Sequence, residues 1–147
     1  MAMALEGTYI PSSIQYVADQ VQQYEASAGR EGNTMQGVPV IILWTRGRTT
    51  GAVRKTPLMR VRDGDGYAVV ASLGGAPQHP LWYGNLLADP HVSVQDGQEV
   101  RDYVAREVIG QEKSGWWAKA TAVWPDYDAY QARTDRVIPV VVLEAGA

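Results

Sequence analysis

Residues 46–62, RGRTTGAVRKTPLMRVR, hold six of the chain's 13 Lys and Arg residues: Arg46, Arg48, Arg54, Lys55, Arg60 and Arg62. No Asp or Glu interrupts them, in a chain of formal net charge −3. Cations gathered into one segment of an acidic protein suit a site that meets an anion. At the centre of the stretch, Thr49, Thr50 and Gly51 are small enough for backbone N–H groups to approach a phosphate. On charge alone, a solvated turn that only aids solubility is an equal reading.

Three further segments could complete a binding site. Ser72-Leu73-Gly74-Gly75-Ala76-Pro77 leads into a helix start, where backbone N–H groups and the helix dipole favour an acceptor or anion. Trp82, Tyr83 and Asn85 sit on the short helix that follows. Trp124, Tyr127 and Tyr130 include a +3 spacing that places rings on one helical face. Core packing is the plain alternative for each aromatic group.

Self-contained catalytic sets are missing. His79 and His91 lack metal-ligand spacing, which argues against a zinc site, and the chain has no Cys, so Cys-ligated metals and thiolate chemistry are excluded. No nucleophile elbow, P-loop or dinucleotide fingerprint follows a strand. An enzyme of this composition must borrow its chemistry from a cofactor.

These segments need elements to hold them. Ile14, Val17, Val21 and Tyr24 predict an amphipathic helix over residues 13–28, with Ser12 and Gln15 as a capping box. Residues 1–11 read as poorly ordered. The apolar run VPVIILWT at 38–45 predicts a buried strand, and the basic stretch its hairpin connection. Strands are expected at 56–63 and 67–72, joined by the Asp63-Gly64-Asp65-Gly66 turn. A helix at 81–88, strands at 91–95 and 99–109, a helix at 111–123, a helix or loop at 124–136 and a last strand at 138–144 complete the chain. Six mostly antiparallel strands with interposed helices predict a β-barrel of the α+β class. The organisation expected is one domain, with residues 1–37 an N-terminal helical segment and 38–147 the cofactor-binding barrel.

With a sequence pI of about 5.3, general nucleic-acid binding is excluded. The N-terminus MAMALEG is not expected to be a secretory signal, and no apolar run reaches the ~20 residues of a membrane span. A cytoplasmic protein is expected. The N-terminal helix is the one element suited to peripheral membrane contact, although it has no Lys or Arg before Arg30.

Taken together, the motifs resemble the deazaflavin (coenzyme F-420)-dependent nitroreductase and quinone reductase family. The resemblance rests on Thr45, Gly47, Arg48, Gly51, Arg54 and Thr56-Pro57-Leu58; on Val69-Val70-Ala71-Ser72 with Gly74-Gly75-Ala76-Pro77, His79-Pro80, Trp82-Tyr83 and Asn85-Leu86; and on Tyr127, Tyr130-Gln131 and Thr134-Asp135-Arg136 before the last strand. It covers roughly residues 38–144.

The resemblance implies a split β-barrel of the flavin-reductase type and a cofactor that is an 8-hydroxy-5-deazaflavin with a phosphodiester and oligoglutamate tail. Carried over, Arg48, Arg54 and Lys55, with Arg60, would hold the tail. Ser72, Leu73, Gly74, Gly75, Ala76 and Pro77 would lie along the ring, and Trp82 would close the site. Met59, Trp124, Tyr127 and Tyr130 would face the substrate, with Tyr127, Tyr130 and Ser72 as proton donors. Thr49, Met59 and Leu73 depart from the basic or aromatic residues of many relatives, so fewer charges meet the tail and the substrate pocket differs.

The implied reaction is hydride transfer to a small electron-poor acceptor: a quinone, an α,β-unsaturated lactone or coumarin, or a nitroaromatic. The enzyme would be a monomer or homodimer. An FMN-dependent oxidoreductase on the same barrel and a non-catalytic flavin or haem carrier are the alternatives.

Overall fold

The computed structural model describes residues 4–145. Helix α1 (Gln15–Ala26) precedes a short β1 (Thr34–Met35) and the long β2 (Val38–Arg46). Strands β3 (Val53–Met59), β4 (Val61–Asp63) and β5 (Gly66–Val70) follow, then a 3-10 turn (Leu73–Gly75) and α2 (Leu81–Ala88). Strands β6 (His91–Asp96) and β7 (Glu99–Val108), helices α3 (Gly110–Val123) and α4 (Tyr127–Arg133), and β8 (Val140–Ala145) complete the order.

All strand pairings are antiparallel. From β2 the ladder runs through β6, β7, β8 and β5 to β4, and β3 pairs the other side of β2. The chain closes the barrel by serving both ends of this ladder: β3 lies on β2, and its continuation β4 lies on β5. The break falls at Arg60, between the two strands. The strand expected at 56–63 is thus two short strands with different neighbours. This curled sheet with four helices is the split β-barrel of the α+β class.

Strand parity explains why the VIIL and VVVL runs are apolar throughout. Successive side chains face opposite sides of a sheet. Ile41 and Leu43 of β2 point into the barrel with Tyr67, Val69, Val141 and Leu143. Their neighbours Val40 and Ile42 meet Val21 and Tyr24 of α1 on the outside. On the opposite outer face, Ala68, Val70, Val140 and Val142 pack with Ala120 of α3 and Tyr127 of α4. A strand covered on both faces has no wet side, so the alternation disappears from its sequence.

The N-terminal segment differs from expectation. Residues 1–3 lie outside the described residues, but the backbone of Thr8 and Ile10 bonds to Val53 at 2.8 and 3.1 Å. The Leu5 amide donates to Ser93 Oγ at 2.8 Å. Open backbone at the start of β3 recruits this segment, an attraction that polarity alone does not reveal. The capping box does not form either. Ser12 Oγ accepts from Ile14 N at 3.1 Å, and Gln15 donates to Asp19 at 2.7 Å. The apolar stripe of α1 is used on the core through Val21 and Tyr24, with 0% and 2% exposure. No described helix is long and apolar enough to cross a membrane.

Candidate active site

One pocket of about 740 Å³ opens between β3, the 3-10 turn, α2 and α4, with the start of α1 at its rim. It gathers Arg48, Arg54, Lys55 and Met59 from the basic stretch, and Ser72, Leu73 and Gly74 from the turn. Trp82, Trp124, Tyr127 and Tyr130 add aromatic surface. Arg60, Gly75, Ala76 and Pro77 are not among its lining residues.

The basic stretch is largely neutralised by the protein itself. Lys55 pairs with Glu25 of α1 at 2.6 Å, and its ammonium lies 4.5 and 4.1 Å from the ring centres of Tyr9 and Trp44. Arg60 and Arg62 reach Asp96 at 2.9 and 3.7 Å, and Arg46 reaches Asp89 at 4.0 Å. Among the described residues, Arg48 and Arg54 are the two cations of the stretch with no carboxylate within bridging distance.

Parity again supplies the reason. The stretch is not all connection, because β3 begins at Val53 and makes Arg54 and Lys55 consecutive strand residues. Arg54 is paired with Thr45 on the face shared with Leu43, while Lys55 is paired with Trp44 on the α1 face. Arg60 is removed from the pocket by the break between β3 and β4, which turns it to Asp96.

The turn after β5 has unusual backbone. Leu73, Gly74 and Gly75 are all left-handed, with φ of 44°, 63° and 82°. A Cβ on Gly75 would lie 2.7 Å from the Tyr130 carbonyl oxygen, so glycine lets the turn sit directly on α4. Arg136 holds this shape from behind. Its guanidinium donates to the carbonyls of Ala71, Ser72 and Ala76 at 3.0, 2.7 and 2.9 Å, and touches His79 Nδ1 at 3.1 Å. Desolvation lowers the Arg136 pKa, but an arginine starts far above neutral pH and stays charged. No role was expected for Arg136. Its only sequence signal was its place in the Thr134-Asp135-Arg136 motif, since its partners are backbone atoms about 60 residues earlier.

The aromatic wall has a defined order. Tyr127 is 6% exposed, and its phenol is pushed up to about 12 by desolvation, with Tyr130 adding to the effect. It is therefore a neutral donor at ordinary pH. The rings of Tyr127 and Tyr130 stand edge to face, 6.1 Å apart. Trp124 Nε1 donates to the Tyr130 hydroxyl oxygen at 3.2 Å, which leaves the phenol's own hydrogen available. Trp82 serves both pocket and barrel core, which is why it is 6% exposed.

The profile of the F420H(2)-dependent quinone reductase family matches residues 16–145. An F420H(2)-dependent quinone reductase of Mycobacterium tuberculosis (strain ATCC 25618 / H37Rv) is 39% identical over 126 residues, 82% of this chain and 83% of the relative. The solved structure of an F420-H2 dependent reductase (FDR-A) superposes with a TM-score of 0.69 at 48% identity, covering 72% of this chain and 94% of that one. A chain solved as a domain-swapped dimer gives a TM-score of 0.72 at 42% identity, covering 90% and 100%. The chain belongs to the F420H(2)-dependent quinone reductase family and is a reductase of that F420-dependent class.

Proposed function

We propose that the protein reduces planar, electron-poor acceptors of the quinone type in its 740 Å³ pocket, with reduced F420 held by Arg48 and Arg54. α,β-Unsaturated lactones, coumarins and nitroaromatics offer a similar electron-poor atom and are proposed as further acceptors. The observation that carries this reading is one pocket with two guanidiniums that have no carboxylate partner among the described residues on one wall and a phenol pair on another. The residues fit the cofactor. The volume suits a tricyclic ring, the aromatic side chains offer it a stacking surface, and Arg48 and Arg54, with no carboxylate partner among the described residues, would meet a phosphodiester or carboxylates. When bound, the reduced cofactor supplies a hydride from C5 of its deazaflavin ring.

The chain's own residues orient and stabilise. Arg48 and Arg54 anchor the anionic tail and thereby aim the ring. Lys55 and Arg60, already paired with Glu25 and Asp96, serve the fold rather than the tail. The Ser72–Gly74 backbone would lie along the ring, with Gly75, Ala76 and Pro77 supporting that backbone from outside the lining. Trp82 closes one side. Met59 and Trp124 shape the acceptor space. Tyr127 or Tyr130 donates a hydrogen bond from its phenol to the acceptor oxygen as negative charge develops there, with the Ser72 hydroxyl as a further donor.

The test mixes purified protein with reduced F420 and a panel of quinones, enones and nitroaromatics, following cofactor absorbance. Acceptor-dependent oxidation is expected, fastest with quinones. Tight F420 binding without turnover would leave a carrier, and tight FMN binding in place of F420 would leave a flavin enzyme; either overturns the proposal.

A further inference from the structure

Gly84 occupies the middle of α2, a helix too short to spare a residue of poor propensity without cause. Its own backbone does not demand glycine, since it is absent from the left-handed residues of the chain. The demand comes from a neighbour. An added Cβ at Gly84 would overlap Arg48 Nη1 and lie 2.8 Å from Arg48 Cζ. The Arg48 guanidinium therefore rests in the space that any other side chain would fill.

The adjacent residue fixes the same loop. Asn85, 8% exposed, accepts from Arg48 N at 3.2 Å through Oδ1 and donates to Thr45 Oγ1 at 3.3 Å through Nδ2. Backbone and guanidinium of Arg48 are thus both seated on one turn of α2. Arg48 has no carboxylate partner among the described residues, so nothing else there holds its charge in place.

The structure assigns Gly84 as a positioning residue: its missing side chain is the seat that presents the Arg48 charge to the anionic part of the ligand. This rests on the proposed F420 reading and deepens it. A flexible guanidinium end can swing away from a methyl group at little cost, so the fold tolerates Gly84→Ala while the seat does not. Alanine also suits a helix interior better than glycine.

The experiment compares wild type, Gly84→Ala, Arg48→Ala and the double variant. Each is titrated by cofactor fluorescence with tailed F420 and with the tail-less deazaflavin riboside, and each is melted. Gly84→Ala is expected to weaken tailed F420 by about tenfold, the scale of one charge-assisted contact. It should leave riboside binding within twofold, keep the melting temperature at or above wild type, and add nothing in the Arg48→Ala background. A crystal structure of ligand-free Gly84→Ala should show Arg48 displaced. Unchanged F420 affinity, equal losses for both ligands, additivity with Arg48→Ala, an undisplaced Arg48 or a lowered melting temperature would each overturn the assignment. If wild type itself fails to bind F420, the cofactor reading falls; if wild type binds and Gly84→Ala binds as well, only the role of Gly84 falls.

Discussion

Arg54 and Lys55 are chain neighbours with different surroundings. Arg54 faces the pocket with no carboxylate partner among the described residues, whereas Lys55 is held by Glu25 and two aromatic faces. Arg54→Ala is expected to weaken F420 by about 1.5–3 kcal/mol, a tenfold or larger rise in Kd by fluorescence titration, with little change in melting temperature. Lys55→Met should do the reverse. It removes the partner of a half-buried Glu25 and costs about 1–3 kcal/mol of stability, with F420 affinity within twofold. Equal effects on affinity from both variants would return Lys55 to the tail clamp. Tyr127→Phe and Tyr130→Phe test the donor wall. The variant that removes the donor should lower kcat by about tenfold or more, the loss of one positioned donor, and both should leave F420 binding unchanged. A variant with unaltered kcat would remove that tyrosine from the reaction.

At the scale of elements, the turn after β5 is a shaped support built from distant parts. Gly75 seats it on α4, and Arg136 collects three of its carbonyls. Arg136→Gln is expected to cost about 1–3 kcal/mol by leaving buried acceptors unmet, in a urea melt. Amide exchange should rise at residues 72–76 more than in β8, and F420 affinity should fall. Arg136→Lys should not restore affinity, because one ammonium cannot span three carbonyls as a planar fork does. Rescue by lysine would show that charge, not geometry, is what the turn requires. Helix α2 was legible because Pro80 marks its start, whereas 124–136 read as a helix or a loop despite Pro125. The break at Arg60 was not legible, because it follows from which strand each half meets rather than from local residues.

For the whole molecule, packing inside the barrel and under the helices on its outer face buries phenols that stay neutral. Tyr83 and Tyr127 are both pushed up to about 12, chiefly by desolvation, and Tyr67 is raised further still, again chiefly by desolvation with Asp96 beside it. A raised phenol pKa favours the folded state below the ordinary value near 10 and loses that contribution as pH climbs through the folded value. Stability should therefore be flat for these groups at neutral pH and fall steeply between about pH 10 and 12. Ultraviolet titration should show one class of tyrosines ionising normally and a second class ionising only with unfolding. Tyr83→Phe should reduce the alkaline loss. A single normal tyrosine class in folded protein would contradict the burial described.

The sequence by itself determined the barrel class, the helix positions and the family. Apolar runs, turn residues and family motifs act through neighbours along the chain or through composition, which a sequence displays directly. Only the tertiary structure decided which charges are available. Arg46, Lys55, Arg60 and Arg62 are met by Asp89, Glu25 and Asp96, each brought close by pairing between distant strands and helices. A cation's freedom is a property of what surrounds it at a few ångströms, and linear order does not record that distance. The basic stretch thus contributes to the pocket two guanidiniums with no carboxylate partner among the described residues, and one of them lies in the space that Gly84 leaves open.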